Sequence, residues 1–331
     1  MSTKEEVLKL LRKNNESFIS GQEIADEIFV TRASVWKAIK SLEKEGYEID
    51  AVTNKGYRLR GSIDLIDIES IKETLLKNEI NTNLIYLEET TSTNDVAHEL
   101  ERKNHEELIV VSDFQSKGRG RRGRDFFSPK GTGLYFSVLL HNKRNQIDTA
   151  GITAVTASII AKAIDDIVFN GVNTAKIKWV NDIFINERKV AGILSEAFGT
   201  LEDEDEGHII IGIGINIYVP KDDFPKELRK TAAAVLENLE EAPKDIRTKL
   251  LDRIITDFYS YFRNNDQKEK YFKIYEEKLF LVGNYVKINS FDGNYRYAMV
   301  TGISEDYHLQ VQYDDGKEEE LSSGEVSVVK Y

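Results

Sequence analysis

Four arginines and three glycines fill the heptapeptide Gly118-Arg119-Gly120-Arg121-Arg122-Gly123-Arg124, and from Lys117 to Lys130 there are six bases against one acid. Glycine lets backbone amides come close to a ligand, while guanidinium groups present paired donors that match phosphate or carboxylate. The chemistry this suits is the holding of a polyanion. Mutual repulsion among the arginines predicts a loop that becomes ordered when the anion binds. Gly118-x-Gly120-x-x-Gly123 also matches the dinucleotide fingerprint, but that fingerprint opens a helix. Here the chain runs through Phe126-Phe127-Ser128-Pro129 into the strand-like Leu134–Leu140, so dinucleotide binding is rejected. A solvated basic turn and an RNA-binding loop, with Phe126 and Phe127 stacking on bases, are the alternatives. The motifs downstream favour a small nucleotide substrate.

Those motifs are Lys176 to Ile185, two strand-like runs interrupted by Asn181-Asp182, then a turn Asn186-Glu187-Arg188-Lys189, then a strand from Val190 to Ala197. Read alone, Asn181 and Asp182 are ordinary turn residues and Lys189 a solvated lysine. Gly212 and Gly214 break the next strand, His208–Ile217, which implies a close backbone approach to a ligand or a bulge.

The elements that must position these groups follow from length and pattern. With 331 residues, two or three domains are expected. The absence of cysteine excludes disulfides, thiolate catalysis and Cys-based zinc sites, and fits a reducing compartment. No apolar run reaches membrane-spanning length and the N-terminus has no signal-like core, so the expectation is a cytoplasmic, unprocessed protein with no membrane contact. The net charge of −12 argues against bulk coating of nucleic acid, although Glu202–Glu206 supplies five of the negative charges in what reads as a solvated turn.

At the N-terminus, Val7, Leu8, Leu10 and Leu11 share a helical face over Glu5–Lys13, Ser20 and Glu23 have capping-box spacing for a second helix, and Thr31 caps a third. Tyr47–Ile49 and Gly56–Leu59 read as short strands around Thr53–Gly56. This is a helix-turn-helix with a wing, and residues 31–44 hold four bases and one acid. Arg32, Ser34, Lys37 and Lys55 are the candidate DNA contacts. Trp36 is either a base contact or a packed aromatic, and a small protein-contact domain is the alternative for the whole segment. Further helices are expected over Ile66–Leu76, Asn94–Leu100 and Thr149–Phe169, with a strand at Leu108–Val111. Short strands at Asn284–Asn289, Tyr295–Ile303, His308–Tyr313 and Glu319–Leu321 suggest a small SH3-like barrel.

Five motifs occur in order: Ser92-Thr93-Asn94; Gln115 with Gly118–Arg124; Lys178-Trp179-x-Asn181-Asp182; Lys189 with Ala191-Gly192-Ile193; and Gly212-Ile213-Gly214-Ile215-Asn216. Together with the winged helix and the terminal β domain, they resemble the biotin protein ligases, of the kind that also serves as biotin operon repressor. The resemblance implies an α+β chain with a winged helix-turn-helix at residues 1–62, a mixed-sheet ligase domain at 63–278 and an SH3-like barrel at 279–331. It implies that biotin and ATP with Mg²⁺ form biotinyl-5′-adenylate, and that a lysine of a biotin carboxyl carrier protein then takes the biotin.

By the same resemblance, Ser92, Thr93, Asn94, Gln115, Arg119, Gly120, Arg121 and Lys189 hold biotin. Arg121, Arg124, Asn181, Asp182 and Asn216 lie on the nucleotide side, and Arg121, Lys189 and Asp182 carry the catalysis. No protein metal ligands are assigned. Adenylate-promoted homodimers would bring two winged helices to a two-fold operator. The family's usual Lys-Trp-Pro-Asn-Asp has Val180 in place of proline, and Thr231–Val235 resembles the family's adenine-side loop loosely. Gly324–Ser327 is expected to cap the active site. A lipoate-type ligase, and a ligand-sensing repressor without catalysis, are the competing functions.

Overall fold

A computed structural model describes residues 3–14, 17–44, 47, 49–59, 64–104, 106–141, 148–198, 207–237, 245–263, 267–289 and 295–329. The acidic run Glu202–Glu206 lies outside the described residues. There are two compact units, the first running to Ile63 and the second beginning at Asp64.

The first unit is a winged helix built from α1 (Thr3–Lys13), α2 (Gly21–Glu27), α3 (Arg32–Lys44) and the antiparallel pair β1 (Ile49–Val52) and β2 (Gly56–Leu59). The Ser20–Glu23 capping box is fully formed, each side chain meeting the other's backbone N–H. Thr31 Oγ1 accepts from Ser34 N at 3.2 Å and so starts α3. Val7, Leu11, Ile24, Val35, Ile39 and Leu42 close the core, with Leu59 from the wing. The first wing strand begins at Ile49, where the pattern in the sequence placed its end. Ile19 adds a bridge to Tyr57, across Gly56, where a methyl group would lie 2.1 Å from Ile19 O.

The second unit is laid on a seven-stranded sheet in the order β3-β4-β5-β9-β8-β7-β6. These strands are Asn83–Leu87, Leu108–Ser112, Gly133–His141, His208–Asn216, Arg188–Phe198, Asp182–Ile185 and Lys176–Lys178, respectively. β3 and β4 run parallel and all other pairs antiparallel. Helix α4 (Ile68–Lys77), capped by Asp67, and α5 (Thr93–Asn104) precede β4, and α6 (Thr149–Val168) follows β5. α6 is buried almost all round, because it lies between the sheet and α7 (Ile246–Arg263) and α8 (Lys268–Lys278). α5 and α6 lie on opposite faces. α5 covers the face of Ser137 and Gly212, whereas Thr153 of α6 bonds Ser195, which alternates to the other side.

Five antiparallel strands end the chain, β10 (Tyr285–Asn289), β11 (Tyr295–Ile303), β12 (Leu309–Gln312), β13 (Glu318–Leu321) and β14 (Glu325–Val328), in the order β13-β12-β11-β10-β14. The architecture is therefore α+β: a winged helix, a central domain on a mixed seven-stranded sheet, and an SH3-like sheet. β14 is an additional strand in the stretch that the sequence suggested as a cap. The terminal sheet is anchored by Trp179 Nε1, which donates to Tyr307 O at 2.9 Å, and by packing of Tyr307 on Tyr275 and Phe272 of α8.

Candidate active site

A cleft of about 430 Å³ opens on the α5 face of the sheet. Its lining includes Ser92, Thr93, Asn94, Gln115, Arg119, Gly120, Arg121, Asn181 and Lys189, drawn from four separate segments of the chain.

The inner end is a chain of polar groups. Ser92 closes the N-terminus of α5, accepting from Val96 N, which buries Thr93 and Asn94 against β5 and β9. Ser137 Oγ of β5 lies 2.7 Å from Thr93 Oγ1 and 2.6 Å from Asn94 Oδ1. Thr93 N donates to Gln115 Oε1 at 2.9 Å, and Gln115 Nε2 to Ser128 Oγ at 2.9 Å. Gln115 is held where β4 ends by a buried network. Arg247 of α7, fully buried, donates to Asp113 Oδ1 at 2.5 Å, to Gly133 O at 2.7 Å and to Asp64 O at 3.0 Å. Asp64 also accepts from Tyr218 OH at 2.7 Å. Burial pushes the Asp64 carboxyl above its ordinary range, against the pull of Tyr218 and Arg247.

The glycines of the sheet have a definite use. A methyl group on Gly212 would lie 2.1 Å from Asn94 Oδ1, and one on Gly214 would lie 2.5 Å from the Phe126 ring. β9 keeps continuous register with both neighbours at these positions, so there is no bulge. The close approach is made by the protein's own side chains, not by backbone to ligand alone.

The bulge is one strand over. β7 and β8 pair Asp182 with Gly192, Ile183 with Ala191 and Phe184 with Lys189, leaving Val190 as the extra residue. In a regular strand Lys189 would share the face of Ala191; the additional residue returns it to the face of Gly192 and Asp182. Lys189 Nζ consequently lies 2.7 Å from Asp182 Oδ1 and 6.0 Å from the centre of the Phe126 ring. Lys189 is thus a strand residue and not part of the turn. The turn is Asn186-Glu187 alone, both with positive φ.

The arginine-glycine loop is folded into a single 3-10 turn, Arg121–Gly123, with Gly120 N donating to Arg124 O at 2.7 Å and Phe126 N to Gly118 O at 2.7 Å. Its charge is answered within the protein. Arg119 meets Asp95 and Glu196, each at 2.6 Å, and Glu196 also accepts from Asn94 Nδ2 at 2.8 Å. Partial burial lowers the Arg119 guanidinium, but the two carboxylates outweigh it and hold the group above its ordinary value. Arg121 Nη1 donates to Asn181 Oδ1 at 3.1 Å, across the cleft. Asn181 is fixed by its own Nδ2, which donates to Ile193 O at 2.9 Å. The peptide bond before Val180 is cis.

Three predicted residues do not line the cleft. Asp182 reaches it through Lys189, and Arg124 is exposed. Asn216 is buried and donates to Ala233 O at 3.0 Å, which draws residues 231–236 alongside Lys189: Lys189 N donates to Thr231 O and Ala233 N to Lys189 O, each at 2.8 Å. Phe126 sits over Gly214, and Phe127 packs on Phe224. Ser137, Glu196 and Arg247 escaped the sequence reading, since a serine inside an apolar strand and single charges in amphipathic segments have no local signature. In the winged helix, Arg32, Lys37 and Lys55 are exposed, whereas Ser34 is half-buried and its hydroxyl pairs with Thr31 Oγ1 at 3.0 Å.

Residues 84–216 match the model of the biotin/lipoate A/B protein ligase family, and residues 3–58 match that of an HTH domain. A bifunctional ligase/repressor BirA from Bacillus subtilis is 32% identical, with 95% of each chain covered. The protein of that name from Escherichia coli is 30% identical over 61% of this chain and 60% of its own. A biotin protein ligase from Aquifex aeolicus, solved in complex with biotin and ATP, superposes with a TM-score of 0.58 at 28% identity, covering 75% of this chain and 99% of that one. With a winged helix in front of the ligase sheet, this chain belongs to the biotin/lipoate protein ligase family, in its bifunctional ligase/repressor branch.

Proposed function

We propose that the chain is an ATP-dependent biotin protein ligase that forms biotinyl-5′-AMP, transfers biotin to a lysine of a biotin carboxyl carrier protein, and acts as a biotin-responsive repressor. The observation that carries the enzymatic part is Lys189, aimed by the Val190 bulge into a cleft whose inner end is polar and whose outer end is crossed by Arg121. In this reading biotin's ureido ring lies against Ser92, Thr93, Asn94 and Gln115, with Arg119 and Gly120 closing over it. Its carboxylate then faces Lys189. A carboxylate oxygen attacks the α-phosphorus of ATP, the bond to pyrophosphate breaks, and a mixed anhydride remains.

Two anions must meet in that step, and the cations Lys189 and Arg121 offset their repulsion and the charge developing on phosphorus. Asn181, Asp182, Arg124 and Asn216 serve the nucleotide side, Asn216 by fixing residues 231–236. In the second step an uncharged carrier lysine attacks the acyl carbon and AMP leaves. Asp182, 2.7 Å from Lys189 Nζ, is assigned to orient that amine or take its proton. Among the described residues no group of three or more acidic or histidine side chains is placed to hold a metal ion. In this reading Mg²⁺ enters with the phosphates of ATP.

Arg32, Lys37 and Lys55, with Ser34 at the helix start, are assigned to operator DNA, and the adenylate is assigned the role of promoting a homodimer. No helix among the described residues is long and apolar enough to cross a membrane, in keeping with work in the cytoplasm. The deciding experiment gives the chain labelled biotin, ATP and Mg²⁺ with a carrier domain and follows label on the carrier, with lipoate in parallel. Labelling by lipoate and not biotin, or none by either, refutes the reading. A dimerisation constant that is the same with and without biotinyl-AMP refutes the switch.

A further inference from the structure

Trp36 is 53% exposed and stands outside the core of the winged helix, so its ring is not a packing residue. Val35, Ala38, Ile39 and Leu42 bury one side of α3. Ala33, Trp36, Lys37 and Lys40 recur at helical spacing on the other side and are all exposed. No acid occurs from Ile28 to Leu42, and Arg32 adds a further exposed cation at the helix start. Among the described residues, Lys40 is the one of these cations whose charge is partly met, by Glu43 at 2.6 Å. The exposed face is therefore an apolar strip, Ala33 and Trp36 one turn apart, bordered by Arg32 and Lys37.

An exposed indole on a helix that a polyanion would approach has one complementary feature in the major groove. Phosphates satisfy the bordering cations, while the sole apolar group on the base edges is the C5 methyl of thymine. We propose that Trp36, with Ala33, reads thymine methyl groups in the major groove and is the sequence-determining contact of this domain. The inference rests on the DNA-binding reading above. It adds the base that the helix selects and assigns that selection to an apolar contact, with Arg32 and Lys37 positioning the domain on the backbone.

The test removes only the methyl. A randomised pool of short duplexes is selected on the full chain with biotin, ATP and Mg²⁺. Each thymine of the enriched sequence is then replaced in turn by deoxyuridine, and binding is measured for the wild type and Trp36→Ala. For the wild type, one or two thymines should respond by about four-fold each, the change equivalent to losing one buried methyl. Trp36→Ala should bind more weakly and be indifferent to deoxyuridine at those same positions. A thermal melt like that of the wild type, expected for an exposed side chain, establishes that the variant is folded, and Trp36→Phe should retain part of the methyl response.

Equal deoxyuridine effects in wild type and Trp36→Ala, or no responsive thymine, overturn the assignment. So does a Trp36→Ala chain that binds DNA normally but loses self-association, which would give the ring to a protein contact. If the wild type enriches no duplex, the DNA-binding reading itself fails and the assignment falls with it.

Discussion

Replacing Gly212 by alanine tests the site without substituting any residue assigned to the ligand. The new methyl would lie 2.1 Å from Asn94 Oδ1 and 2.8 Å from Asn94 Cγ. β9 is paired on both sides and cannot retreat, so the Asn94 amide has to give way by about 1 Å to reach van der Waals separation. Its bonds to Ser137 and Glu196 are then both lost or distorted. A neutral bond contributes about 1 kcal/mol and one to a carboxylate somewhat more, so the expected loss of stability is about 2 to 3 kcal/mol. That corresponds to a drop in melting temperature on the order of 5 °C for a domain of this size.

A displacement of this size at a substrate-positioning group should also lower kcat/KM for biotin by about 100-fold, with KM for ATP little changed. The decisive control is the double variant. With Asn94→Ala the methyl has room, so adding Gly212→Ala to Asn94→Ala should cost almost nothing further in melting temperature or biotin affinity. Additive losses in the two variants, or normal biotin affinity in Gly212→Ala, would show that Asn94 is not the group that the glycine accommodates.

Arg121→Gly removes the bond across the cleft to Asn181 while sparing the sheet; the chain should fold normally and release adenylate, read as biotin on bystander proteins in the absence of carrier. Arg247→Met leaves Asp113 and Asp64 buried with fewer donors, so urea unfolding should report a loss of about 3–5 kcal/mol, partly restored by adding Asp113→Asn. The Ser20 N–H, and then its hydroxyl, hold Glu23 below the ordinary carboxylate value. Its contribution to the start of α2 is therefore present above the unfolded-state pKa and lost as pH falls through the lower folded value. Amide exchange at Glu23 should be slower in wild type than in Glu23→Gln near neutral pH, and the difference should vanish in acid.

The local elements were legible because their signals are local. The Ser20–Glu23 box, the Thr149–Val168 helix and the apolar run of β4 each declare themselves within a single short segment. So did most of the cleft, because its motifs are short segments at strand ends and loops. What could not be read was the relation between segments. Nothing near Glu196 announces that it joins Asn94 to Arg119, and nothing near Arg247 announces Asp113, more than a hundred residues away. The wing strand was misplaced because Asp50 and Ala51 have lower β-propensity than Tyr47 and Ile49, while pairing with Gly56–Leu59 sets the register. Trp36 was ambiguous because an aromatic on an amphipathic helix fits either face until the core is counted.

The single extra residue at Val190 makes the direction of Lys189 a matter of parity. A strand has two sides, and one residue more or fewer exchanges them. A chain that kept every motif but paired Val190 regularly with Phe184 would still align, and would still present a lysine after the Asn186-Glu187 turn, yet would point its amine at the helix layer of α6. Transplanting the motif into another sheet therefore requires copying an irregularity along with the residues. In this hairpin the spacing is itself a functional part.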